Sequence, residues 1–155
     1  MKIYYREKSG GIEILRCFGI EGRVEIPGMI DDKLVISAAP YAFSSHMDEK
    51  EELKNASLWE VSDGLGFSRE EHVLAGNDVE EIVFPHTLKE IGRYIFYGCG
   101  NLKKLEFSDS LMQIGCGAFT GCHALEKLTV HMRQGKKSGV KEMLGEMWQR
   151  IDVNF

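Results

Sequence analysis

Glu81-Ile-Val-Phe-Pro-His-Thr-Leu-Lys-Glu-Ile-Gly-Arg-Tyr-Ile-Phe-Tyr-Gly-Cys-Gly-Asn-Leu-Lys103 runs straight into Lys104-Leu-Glu-Phe-Ser-Asp-Ser-Leu-Met-Gln-Ile-Gly-Cys-Gly-Ala-Phe-Thr-Gly-Cys-His-Ala-Leu-Glu126. The two blocks have 23 residues each and align without a gap. Identical pairs are Phe84/Phe107, Leu88/Leu111, Ile91/Ile114, Gly92/Gly115, Phe96/Phe119, Gly98/Gly121, Cys99/Cys122 and Leu102/Leu125. The shared residues are apolar, Gly or Cys, the types that pack, while the positions between them drift. Such a pattern marks a stacked repeat, in which each unit buries its apolar face against the next. A third block opens at Lys127-Leu-Thr-Val130 and stops.

Working outward, Val24-Glu-Ile-Pro27 echoes Ile82-Val-Phe-Pro85, and Leu34 to Phe43 echoes Thr87 to Phe96. The gap from Ile26 to Phe43 is five residues longer than that from Phe84 to Phe96, the excess falling in the polar turn Gly28–Lys33. An atypical end unit is expected of a capping repeat.

Composition sets the outer bounds. The chain has 155 residues, 43% of them hydrophobic and 28% charged, which fits one folded domain and excludes wholesale disorder. Nineteen Lys and Arg against 24 Asp and Glu leave a net charge of −5, unlike a domain built to coat nucleic acid. No apolar run is long enough for a membrane helix. The first ten residues carry charge where a secretory signal has its apolar core, so the expectation is a cytoplasmic protein with reduced thiols at Cys17, Cys99, Cys116 and Cys122.

The pattern I-x-F-P-x-x-L-x-x-I-G-x-x-[IA]-F-x-G-C-x-x-L, as it stands in these blocks, resembles the BspA-type leucine-rich repeats of bacteria. The resemblance covers about 11–45 and 79–130, and the run Ile26-Pro27 through Ile30-Asp31-Asp32-Lys33-Leu34-Val35 is similar to the family's entry segment, with Asp32 where the family prefers Gly. It implies an α/β fold: a short right-handed leucine-rich-repeat solenoid with repeats of about 23 residues, an N-terminal degenerate capping repeat (11–45) and regular repeats (79–130). Two segments depart from the pattern. Residues 46–78 read as a helical insertion, with one charged helix at Asp48–Lys54 and a second opened by the capping box Ser68-Arg-Glu-Glu71 and ended near Gly76. Residues 134–155 read as a C-terminal capping helix, because Val140, Met143, Leu144, Met147, Trp148 and Ile151 share one helical face.

Alternation along a strand turns Ile82, Phe84, Leu105, Phe107, Leu128 and Val130 inward. The residues between them form outward columns, Glu81/Lys104/Lys127 and Val83/Glu106/Thr129, with an electropositive end expected near Lys104, Lys127, His131 and Arg133. The resemblance implies that this strand face is the binding surface. The candidate site is therefore Val83, Lys104, Glu106, Lys127, Thr129 and His131.

Other chemistry finds little support. Gly115-Cys-Gly117 begins a dinucleotide fingerprint, but position 120 is Thr and the period is too short for a βαβ unit. Cys116, Cys122 and His123 lack zinc spacing, and no cofactor or metal is expected. Cys99 and Cys122, one repeat apart, fall within disulfide reach if the repeats stack. The basic run Arg133, Lys136, Lys137 and Lys141 sits in the link to the last helix. The expected function is a non-catalytic protein–protein interaction module, monomeric or a weak homodimer, with an unknown protein partner and no nucleic acid or membrane. Its alternatives are a cell-surface or secreted adhesive protein, and an enzyme with its site in the insertion (Glu70, Glu71, His72) or around Cys116 and His123.

Overall fold

Hydrophobic alternation at the repeat period produces strands that pair with the same position one unit away. The computed structural model describes residues 1–61 and 70–155. In chain order its elements are β1 (Lys2–Lys8), β2 (Gly11–Gly19), β3 (Arg23–Glu25), β4 (Met29–Ile30), β5 (Lys33–Ala38), α1 (Glu49–Glu52), β6 (Ser57–Glu60) and β7 (His72–Val73). After a 3₁₀ turn at Gly76–Asp78 come β8 (Glu81–Val83), β9 (Glu90–Ile91), β10 (Lys104–Ser108), β11 (Gln113–Ile114) and β12 (Lys127–His131). The chain closes with α2 (Lys137–Leu144), α3 (Met147–Arg150) and β13 (Asp152–Asn154).

The strands form two sheets in a mixed α/β fold. One is wholly parallel, in the order β13-β12-β10-β8-β3. The other runs β11-β9-β5-β2 in parallel, then turns antiparallel through β1 and β6, with β7 also on β2 and β4 on β5. Each unit contributes one strand to each sheet, and the core lies between them. Ile82, Leu105 and Leu128 are in register and buried, as are Phe107 and Val130. Phe43, Phe96 and Phe119 continue from unit to unit, with ring centroids 6.2 and 5.7 Å apart. Each fully buried aromatic or aliphatic side chain contributes about 1.5–3 kcal/mol.

The turns between sheets stack backbone on backbone. Tyr94, Phe96 and Gly98 donate their amides to the carbonyls of Cys116, Ala118 and Thr120 in the next unit. Gly92 and Gly115 make this approach possible. A Cβ at Gly92 would stand 2.3 Å from the Pro40 nitrogen, and one at Gly115 2.2 Å from the Arg93 nitrogen. Side chains satisfy carbonyls the ladder leaves over. Thr87 and Ser110, one repeat apart, donate hydroxyls to the carbonyls of Val35 and Leu88 at 2.7 and 2.9 Å. Cys99 and Cys122 donate thiols to those of Phe43 and Phe96, each at 3.2 Å.

The polar excess at Gly28–Lys33 is a two-residue hairpin. Met29 and Ile30 pair with Leu34 and Lys33, and Asp31 and Asp32 both take positive φ, 53° and 58°. A type I′ turn demands this geometry, and it favours Gly where Asp32 stands.

Two expectations are corrected. Among its described residues the insertion is mostly not helical. Among the described residues of 46–78, Glu49–Glu52 alone is α-helix; β6 and β7 pair with the N-terminal hairpin β1–β2, so the segment brackets that hairpin. Ser68 and Arg69 lie outside the described residues, but His72–Val73 is strand, and Gly76, at φ 59°, opens a 3₁₀ turn instead of ending a helix. Nor is 134–155 one helix. Gly145, at φ 54°, breaks the apolar-faced segment into α2 and α3, and the chain then adds β13 to the parallel sheet. The apolar face still points to the core, with Val140 and Leu144 buried and Met143, Met147, Trp148 and Ile151 packed against them.

Asp109 holds this last segment in place. Its carboxylate, on a residue 1% exposed, accepts the amides of Arg133, Gln134 and Lys136 at 2.8, 2.7 and 3.1 Å. It thereby serves the entry of α2, which has no side-chain cap of its own. Burial pulls the carboxyl pKa up, but the amides of Lys136, Gln134 and Arg133 outweigh it and hold the group below its ordinary value of 3.8.

These contacts set the expected effects of three substitutions. Gly115→Ala drives a methyl into backbone and should cost more than about 3 kcal/mol in denaturant unfolding. Gly139→Ala, within α2 and with nothing within 4 Å of the new Cβ, should gain about 0.5–1 kcal/mol. Because Asp109 ionises at lower pH in the folded chain than in the unfolded one, its stabilisation is complete at neutral pH. It fades as pH falls from about 3.8 through the folded value. Asp109→Asn should therefore cost about 1 kcal/mol at pH 7, as loss of a helix cap does, and flatten the acid limb of the melting profile.

Candidate functional site

Parallel pairing decides which outward residues become neighbours. Arg23, Glu81, Lys104, Lys127 and Asp152 are in register across the five-stranded sheet, as are Glu25, Val83, Glu106, Thr129 and Asn154. All lie at positions alternating with the buried set, and all are exposed or half-buried. The six residues expected from sequence thus share one face: Lys104 beside Lys127, and Val83, Glu106 and Thr129 in a line. His131, at the end of β12, contacts the Glu106 carboxylate through Nε2.

The sequence reading missed the ends of both columns. Arg23 and Glu25 were within reach, since Val24-Glu-Ile-Pro27 had been aligned with the repeat. Asp152 and Asn154 lay hidden behind the single helix expected there. They change the electrostatics. Arg23 pairs with Glu25 at 3.1 Å and with Glu81 at 3.5 Å, Glu106 meets His131, and Asp152 stands in register with Lys127. The expected electropositive end is therefore mixed in sign.

Two hollows open on this face. One of about 170 Å³ is lined by Glu81, Lys104, Glu106, Lys127 and Thr129 together with the strand backbone. The other, of about 260 Å³, lies between Glu25, Val83, Pro85, His131 and Arg133. Both are smaller than the 300–1,000 Å³ typical of small-molecule pockets, and suit side chains of a partner surface. Larger grooves lie elsewhere. One of about 490 Å³ runs between the turn that precedes β11 and α2, lined by Leu111, Met112, Val140 and Met143. Another, of about 330 Å³, lies beside Phe119, Cys122, His123 and Met147.

The catalytic alternatives do not assemble among the described residues. Cys116 is exposed and does not line the groove that His123 lines. Glu71 is engaged by the Met1 ammonium at 2.5 Å, while Glu70 and His72 are exposed. No three His, Cys, Asp or Glu side chains among the described residues gather as a metal site. All four cysteines are free thiols, and burial pushes the pKa values of Cys17, Cys99 and Cys122 up to about 12.

With this geometry in hand, the comparisons with known proteins are specific about architecture. Residues 70–139 match the family model described as BspA type leucine rich repeat region (6 copies), the copy number being that of the model. The likeness to the BspA-type leucine-rich repeats thus spans this repeat region, a little under half of the chain. Among solved structures, a leucine-rich repeat protein of T. pallidum superposes with a TM-score of 0.59 at 21% identity. The match covers 83% of this chain and 50% of that one. A leucine rich cell surface protein of Faecalibacterium prausnitzii A2-165 gives 0.54 at 19% identity, covering 83% and 30%. The chain thus spans half or less of either protein. No curated protein matches it. No helix among the described residues is long and apolar enough to cross a membrane.

Thiol chemistry checks the packing around the site. A native-state titration at neutral pH with an aromatic disulfide reagent should label Cys116 alone, and unfolding should release the other three.

Proposed function

We propose that this chain is a non-catalytic protein–protein interaction module, a short right-handed solenoid whose parallel strand face receives a partner protein. The observation that carries the reading is the register. Five parallel strands hold two columns of outward side chains over buried Val24, Ile82, Leu105 and Leu128 and half-buried Val153, so the face is ordered before anything binds. Pre-organisation of that kind reduces the ordering cost of association. The contact residues are Val83, Lys104, Glu106, Lys127, Thr129 and His131, to which Arg23 and Asp152 now attach. In this reading α2 and α3 shield the end of the core, the bracketed hairpin β1–β2 shields the other, and the module works as a monomer or weak homodimer.

A second reading places the module on a cell surface as an adhesive protein. It is favoured by the likeness to the F. prausnitzii protein described as a leucine rich cell surface protein, and recovery from the surface or secreted fraction of its own cells would bring it forward.

The strand-face reading is tested by affinity capture from the native lysate with wild type and the Lys104→Glu/Lys127→Glu variant side by side. A partner retained by wild type alone, with a melting temperature within a few degrees of wild type, is the expected result. A partner that both proteins retain would sink the strand face as the binding surface.

A further inference from the structure

The turns between the sheets are joined by a row of amides that each unit offers to the next. Tyr41 and Phe43 donate to the carbonyls of Arg93 and Ile95 at 3.2 and 3.0 Å, and Tyr94, Phe96 and Gly98 to those of Cys116, Ala118 and Thr120, each at 3.1 Å. The row therefore leaves carbonyls over at the first turn and amides over at the last. At the first turn the chain supplies the missing donor itself, because the Arg16 guanidinium takes the carbonyls of Tyr41, Ala42 and Ser44. At the last turn the equivalent amides are those of Gly117, Phe119 and Gly121, and no acceptor among the described residues reaches them. Phe119 and Gly121 line the cleft of about 330 Å³ between this turn and α3, with Leu125, Met147 and Ile151 as its apolar wall. Cys122 spends its thiol on Phe96. The other polar side chains on the cleft are Thr120, His123 and Arg150, all exposed and none in an ion pair among the described residues. No Asp or Glu is among its walls; Glu126, Glu146 and Asp152 adjoin it in sequence but do not line it. The free polar groups of the cleft are thus donors, and its volume falls in the range of small-molecule sites.

We infer that this cleft binds an oxyanion, the carboxylate or phosphate group of a small molecule. The oxyanion accepts from the Phe119 and Gly121 amides, as the carbonyls of a further turn would, and the Arg150 guanidinium answers its charge. Backbone amides left without acceptors form ready concavities for anions. Hydrogen bonds to an ionised acceptor are also the stronger kind. His123 and Thr120 add donors at the rim, and the apolar wall takes the carbon skeleton. A second copy of the chain is a poorer occupant, since the outward turn carbonyls it could offer are those that Arg16 already holds. The site is also separate from the strand face, because its residues lie on the last turn and α3 and none belongs to the two outward columns.

The test uses the full chain labelled with ¹⁵N, titrated with sodium succinate, with sodium phosphate and, at matched ionic strength, with sodium chloride. At least one of the two oxyanions should move the Phe119 and Gly121 amide protons downfield along a saturable curve, and chloride should not. Saturation by succinate alone assigns the group as a carboxylate, and saturation by phosphate alone as a phosphate. Arg150→Gln should weaken binding about fivefold, as loss of one exposed charge pair does. Thr120→Glu, which sets a carboxylate at the mouth of the cleft, should abolish it. Both side chains are exposed, so both variants should melt within a few degrees of wild type. Lys50→Gln, in α1 at the other end of the stack, should bind as wild type. Phe119 and Gly121 signals that neither oxyanion moves, or that chloride moves equally, would overturn the inference. So would shifts centred on Lys136, Lys137 and Lys141, or an affinity unchanged in both Arg150→Gln and Thr120→Glu.

Discussion

The approach of one turn to the next, without room for a single methyl group, governs the rest of the molecule. Gly92 lies against the backbone of Ala39 and Pro40, and Gly115 against that of Gly92 and Arg93. This contact brings the Tyr94, Phe96 and Gly98 amides within bonding distance of the following unit. It also sets both sheets to the same rise per unit. Once the rise is fixed, thiols and hydroxyls at equivalent positions reach equivalent carbonyls, as Cys99 and Cys122 do, and Thr87 and Ser110. A buried carbonyl left unpaired costs about 1–3 kcal/mol, so these small side chains are as much a part of the repeat as the phenylalanines. At Cys99 and Cys122 each S–H is spent on a backbone oxygen, and burial suppresses ionisation.

The N-terminal end shows how such a stack is closed when the repeat stops. Arg16, 2% exposed, donates through one nitrogen to the carbonyls of Tyr41, Ala42 and Ser44, and through Nε to Glu49 at 3.0 Å. It thus serves the first turn, whose carbonyls have no preceding unit to serve them, and ties α1 to β2. Burial lowers its pKa, with Glu49 opposing. Glu13, also 2% exposed, is ringed by Arg6, Lys8 and Ser37. Buried charges are tolerable where hydrogen-bonding partners and opposite charges surround them, as Glu49 and three carbonyls do Arg16 and as Arg6 and Lys8 do Glu13. The insertion between β5 and β8 supplies β6 and β7, which flank the hairpin and cover strand edges that would otherwise be open to aggregation.

What was legible in the sequence follows this division. The residues matched between repeats, from Phe84/Phe107 to Leu102/Leu125, are those that pack, and the alternation that turned Ile82 and Leu105 inward also turned Glu81, Lys104 and Lys127 outward into one column. Packing is periodic, so it leaves a periodic trace. The end segments carry no second copy to compare with. Arg16 and Glu13 look like ordinary strand charges until the fold buries them, and Asp109 looks like a turn residue until Arg133–Lys136 comes to it from 24 residues further on. The helical face at 138–151 is a sound local signal. Local signals do not report that a strand edge waits nearby, nor that Gly145 takes a left-handed turn before Asp152–Asn154 joins β12.

The strand face is the part of the molecule that stacking constrains least. Inward positions must fill a core of fixed depth, and turn positions must clear the next backbone. An outward position on a parallel strand meets only its counterparts above and below. Those counterparts are equivalent residues of other repeats, so a charge repeated in consecutive units falls beside itself. Lys104 and Lys127 are such a case, while Arg23 and Glu81 are the opposite one, a charge alternation that resolves itself within the chain. The same sheet therefore holds one like-charged step, Lys104 beside Lys127, flanked in register by Glu81 on one side and Asp152 on the other. Removing the lysines would cost the fold almost nothing, since exposed charges contribute little to stability.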